Sequence, residues 1–103
     1  MDNNCKYVVI DKYVVIDELT STGFIECAAI CENRFEALGK ALDALNSSIA
    51  AEYGVKCYIT PIEATEGDSG ECMSLVNKET GQAFETVTIL RYKEGHVVQK
   101  REG

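Results

Sequence analysis

Five cysteines (Cys5, Cys27, Cys31, Cys57, Cys72), one histidine (His96) and seventeen carboxylates are the side chains with which this chain could do chemistry. A thiol acts as a nucleophile when a base is held within hydrogen-bond reach. His96 sits in a polar stretch that begins at Glu94, so a Cys/His pair would rest its base on an unsupported segment. No catalytic residue is expected, and the chain reads as a non-enzyme.

Metal binding fares no better. Cys27 and Cys31, four apart, would share a face of a helix, but they stand in a strand-like run where about 13 Å separates them. A zinc site would need two more ligands, and only Cys5, Cys57, Cys72 and His96 are there to supply them. The run Glu63 to Glu71 carries Glu63, Glu66, Asp68 and Glu71 without the spacing of a calcium loop or its bidentate twelfth-position Glu. No metal and no cofactor are expected. G-x-G-x-x-G, P-loop, G-x-S-x-G and H-E-x-x-H sequences are all absent. The opening Met-Asp-Asn-Asn-Cys has no basic segment before an apolar one, and no apolar run could span a bilayer. The expectation is a cytoplasmic protein with no membrane contact, its thiols reduced and buried, in which the Asn46-Ser47-Ser48 sequon has no role.

What the sequence does offer is charge. The net charge is −7, made of −9 in residues 1–89 and +2 in residues 90–103, where Arg91, Lys93, Lys100 and Arg101 outnumber Glu94 and Glu102. An acidic body repels phosphate, which argues against direct nucleic-acid binding and for a protein partner with a basic surface.

The elements that must position these groups begin with a repeat. Lys-Tyr-Val-Val-Ile-Asp occurs twice in succession, at 6–11 and 12–17. Six is even, so in a strand both copies show the same residues to the same side, and a partner strand could pair with either copy. Twelve residues would run ~40 Å, about twice the usual strand, which predicts copy two in the sheet and copy one extending past the body as an edge. Tyr7, Val9, Tyr13 and Val15 are then the candidate residues for dimer or edge-strand contact.

Residues 23–31, apolar on both parities, read as a central strand. Asn33 with Glu36 three residues on is a capping signal, and Phe35, Leu38, Leu42, Leu45, Ile49 and Tyr53 recur at helical spacing, predicting a helix from about Arg34 to Tyr53 ended by Gly54. A strand over 55–59 stops at Pro61, with Cys57 and Ile59 toward the helix. Residues 63–71 read as an exposed loop. Two further strands, 72–76 and 83–92, are joined through a turn in which Gly81 takes positive φ. The inward parity of the last strand stays open between Phe84, Thr86, Thr88 and Leu90 on one side and Glu85, Val87, Ile89 and Arg91 on the other.

The fold class expected is α+β: a single domain over 1–103, with 1–5 and 94–103 frayed and one amphipathic helix on a four- to five-stranded, mainly antiparallel sheet in the order β-β-α-β-β-β. One helix cannot cover such a sheet, so the bare face, expected to show Tyr7 or Tyr13 with Tyr58, suits a homodimer or a ligand.

The functional expectation is a small acidic interaction protein that binds and inhibits a basic nucleic-acid-handling protein by charge mimicry. By analogy of class alone, small acidic proteins of this kind are frequent among phage-encoded inhibitors of host nucleases and CRISPR effectors. Glu63, Glu66, Asp68, Glu71, Glu36, Asp43, Asp11 and Asp17 are the candidate partner-binding residues. The alternatives are a homodimeric scaffold or ligand-binding module built on the uncovered sheet face, and a Cys-dependent enzyme or zinc module.

Overall fold

The computed structural model describes residues 5–20, 22–49, 56–65 and 70–99. Strands β1 (Cys5–Leu19) and β2 (Phe24–Cys31) precede helix α1 (Arg34–Ser48), and β3 (Cys57–Ile59), β4 (Glu63–Ala64), β5 (Gly70–Asn77) and β6 (Ala83–Gln99) follow it. All pairings are antiparallel, in the order β2-β1-β6-β5-β3 with β4 also on β5. The helix lies on one side of this sheet, as the α+β reading expects.

The repeat forms one unbroken strand. β1 pairs with β6 over its whole length, from Cys5 opposite Gln99 to Leu19 opposite Glu85, whereas β2 covers only Tyr13 to Leu19. Copy one therefore does extend past the body, but it is paired there. Residues 94–99, expected in a loose tail, are the outer end of β6 and stand opposite copy one, with Asp11 facing Lys93 across the ladder. This two-stranded arm accounts for long dimensions of 65 × 27 × 22 Å and a radius of gyration of 18.2 Å, against ~13 Å for a compact chain of this length.

Identical copies cannot set their own register, so the turn after them does. Thr20 donates its N–H to the Phe84 carbonyl (2.9 Å) and its hydroxyl to the Ala83 carbonyl (2.5 Å), tying the end of copy two to the start of β6. Gly23, at φ +72, donates back to the Leu19 carbonyl at 2.8 Å and turns the chain into β2.

The helix begins as its sequence signals: Asn33 is extended and its Oδ1 accepts the Glu36 N–H at 2.8 Å. Its packing face is not the expected stripe. Ala37, Ala41 and Leu45 are buried and Leu38, Ala44 and Ile49 pack around them, while Phe35 is 82% exposed and Leu42 is also exposed. Leu38, Leu45 and Ile49 belong to both stripes, and the small side chains at 37, 41 and 44 decide between them by letting the backbone lie close on the sheet. The expected continuation to Tyr53 and Gly54 falls outside the described residues.

The sheet contributes Val15, Cys31, Met73, Leu75, Val87 and Ile89 to the same core. Each fully buried aliphatic chain is worth ~1.5–3 kcal/mol relative to exposure. In β6 the inward parity is thus that of Glu85, Val87 and Ile89. Cys57 and Ile59 face inward as expected. The second strand, expected to be central, is the outer edge next to β1, with Phe24, Ile25 and Ile30 exposed. The expected loop 63–71 is shorter: after Pro61, which has no N–H to give a ladder, Glu63–Ala64 return to pair with Glu71 and Cys72 of β5. Gly70 opens β5 because a Cβ there would lie 2.8 Å from Leu90 Cδ2 and 2.9 Å from the Ile89 carbonyl. Gly81 takes φ +75 in the β5–β6 turn, as its sequence predicts.

Candidate functional site

Two features stand out, one inside the sandwich of helix and sheet and one on the open side of the sheet.

Inside, Glu85 occupies an inward position of β6 and is 1% exposed. Its ladder neighbours are Leu19 of β1 and Leu75 of β5, so water has little access from either side. The Ser48 hydroxyl, from the last turn of α1, donates to Glu85 Oε1. Asp17 lies on the same face of β1, two residues before Leu19, and meets Glu85 diagonally across the ladder. Burial, the hydrogen bond shared with Glu85 and the Glu85 charge together push Asp17 up to about 7. Asp17 Oδ1 is buried and has no hydrogen-bond partner. A cavity of about 370 Å³ adjoins the pair, walled also by Glu26, Phe24, Ala28 and Ala44.

Asp17 is therefore not the surface acid it was expected to be. The strand's alternation puts it on the side of Val15, under the helix. Glu85 was not among the expected site residues, although its place two residues before Val87 in a run of inward apolar residues carried the signal. Two carboxyls in contact, Asp17 being the one pushed toward neutrality, resemble an acid/base pair. Here the spare oxygen is sealed, and the neighbouring Ser48 hydroxyl is already committed to Glu85.

The other expected acids are scattered. Glu71 is held by Arg34 through two hydrogen bonds, Nε to Oε2 at 2.7 Å and Nη2 to Oε1 at 2.8 Å, which keep its carboxyl below the usual range. This ion pair walls a second cavity of about 290 Å³ with Tyr13, Gly70, Ile89 and Arg91. Glu36 and Asp43 are exposed on α1, Asp11 on β1 and Glu63 on β4. Glu66 and Asp68 lie outside the described residues. Glu32 pairs with Lys12 at 2.6 Å and Glu79 with Lys56 at 2.7 Å.

The thiols divide differently from expectation: Cys31 is buried, Cys57 and Cys72 are half-buried, and Cys27 is exposed. Burial pushes the Cys31 thiol up, and Glu36 and Glu32 add to that against the opposing effect of Lys40. Among the described residues no three His, Cys, Asp or Glu side chains are placed to hold a metal ion.

The open side of the sheet carries an apolar strip along β2 and β1, flanked by Glu18, Thr86, Thr88 and Ser74. Register sets Ile30 beside Val14, which has Leu90 on its other side, Cys27 beside Ile16, and Ile25 beside Glu18, all on the face opposite the helix. Ile10 and Tyr92 continue this face toward the arm, and Tyr58 lies on it at the far edge. Ile25 and Ile30 are 58% and 63% exposed, and Ile10, Tyr58 and Tyr92 are exposed as well. Of the expected dimer residues, Tyr13 and Val15 are not on this side. Both pack into the core, Val15 being 0% exposed, because copy two shows its odd-numbered residues to the helix. The side chains of Tyr7 and Val9 lie outside the described part of the arm.

Searches against protein-family models, curated proteins and solved structures give no match to this chain. No helix among the described residues is long and apolar enough to cross a membrane.

Proposed function

We propose that this chain is a non-enzymatic protein-interaction module that assembles through the sheet face opposite α1, with a second copy of itself as the first partner. The observation that supports this reading is the apolar patch of Val14, Ile16, Ile25, Ile30, Leu90 and Tyr92 on a face that no second layer among the described residues covers. Exposed apolar patches of this kind mark interaction surfaces, and a two-fold pairing of the same face removes the patch from both copies at once. β2 adds an open strand edge beside it.

Sedimentation velocity tests the proposal: a dimer in the micromolar range supports it, and a strict monomer at millimolar concentration rejects it.

A second reading is favoured by the charge. Glu26, Glu36 and Asp43 are exposed on the helix side, where Lys40 and the Glu71-bound Arg34 are cations of α1, and they suit a partner with a basic surface, including a nucleic-acid-handling protein that the module would block. Such a complex is salt-sensitive. Complexes with candidate nucleic-acid enzymes that form at low salt and dissolve at 0.5 M salt support it, and complexes that are absent or indifferent to salt reject it.

A further inference from the structure

We propose that Asp17, set against Glu85, is a proton-operated latch for the C-terminal end of α1, closed while the Asp17 carboxyl carries a proton and loosened when it is charged. Among the described residues, the lining of the cavity beside the pair contains no cation. Around the cavity, β1 contributes Asp17, β2 contributes Glu26 and β6 contributes Glu85, while α1 contributes the uncharged Ala44, Ser47 and Ser48. The charged residues of α1, Arg34, Glu36, Lys40 and Asp43, are exposed and take no part in the lining. From β5, the residue beside Glu85 is the apolar Leu75.

A second negative charge here has two unfavourable neighbours: it faces the first carboxylate, and it faces Glu26. The Ser48–Glu85 hydrogen bond is a polar tie between the last turn of α1 and the sheet, beside the apolar contacts of Ala44, Leu45 and Ile49. Lifting that turn admits water to both carboxylates and lowers the cost of their charge.

The sign follows from where the proton is held. The closed form binds it up to about pH 7 through Asp17, whereas an open, solvated Asp17 releases it near 3.8. The latch is therefore firmest below about pH 4, weakens as pH rises toward 7, and changes no further above that.

Amide hydrogen exchange of the last helical turn, Ala44 to Ile49, measured from pH 5 to 8 and corrected for intrinsic exchange, reads the latch. Protection in the wild-type protein is expected to fall by roughly fiftyfold between pH 5 and 7 and then level off, one proton being worth at most tenfold per pH unit. Asp17→Asn, which keeps the shape and can donate to Glu85, is expected to hold protection constant over the same range. Wild-type protection that ignores pH, or an Asp17→Asn protein that loses protection as the wild type does, overturns the proposal. Carboxyl-carbon NMR of the wild-type chain is a reading that needs no variant: one carboxyl titrating near neutrality supports the latch, and all carboxyls titrating below pH 5 overturn it.

Discussion

Arg34, in the first turn of α1, grips Glu71 of β5 with two near-parallel hydrogen bonds and so pins the start of the helix across the sheet from β2. The pair is partly exposed, which limits its strength. Arg34→Ala is expected to lower the urea unfolding midpoint at low salt, and to lower it less at 0.5 M salt.

The same pair sets an acid limit. The Glu71 carboxyl is depressed when folded, so its contribution is present above its ordinary 4.5 and is lost as pH falls through the folded value. Wild-type stability is expected to drop below pH 4.5 more steeply than that of Glu71→Gln, and thermal unfolding across pH 3 to 6 checks this.

The packing face of α1 can be tested by substitutions of opposite kind. Ala41→Leu forces bulk between helix and sheet and is expected to cost ~1–3 kcal/mol. Phe35→Ala, at a side chain that is largely in water, is expected to change stability by less than ~0.5 kcal/mol. Had the expected stripe been the buried one, Phe35→Ala would carry the large cost, so chemical denaturation of the two variants separates the alternatives.

Much of this arrangement was legible in the residues, and the failures share a cause. Asn33, Gly81 and Pro61 act locally, through a side-chain cap, a positive φ and a missing donor, and each does what its type implies. Helix and sheet faces depend on what stands opposite. Counting Phe35 and Leu42 as core undervalued the alanines, whose small size matters only once a sheet lies beneath them. Asp17 looked like a surface acid because its environment comes from Glu85, 68 positions away along the chain. The Lys, Tyr and Val repeat could not disclose its own register, which the hydrogen bonds of Thr20 to residues 83 and 84 supply. Of the expected surface acids, Glu36, Asp43, Asp11 and Glu63 are exposed, while Glu71 is taken up by Arg34.

The arm offers a separate test of the repeat. Copy one pairs only with the outer end of β6, beyond the rungs that β2 and β5 add to the sheet. Deleting residues 6–11 is expected to leave the body folded, with a thermal midpoint within a few degrees of the full chain, since an isolated two-stranded ribbon adds little stability of its own. Global unfolding of the deletion variant, seen by circular dichroism, would show instead that both copies are structural.

The proposal that the bare sheet face is an assembly surface is most directly tested by sedimentation velocity of the wild type beside Ile30→Lys, a change at an exposed position next to Val14 on that face. A wild-type dimer that becomes a folded monomer with Ile30→Lys is the expected result. A wild-type chain that stays monomeric at high concentration, or a dimer indifferent to Ile30→Lys, would contradict it.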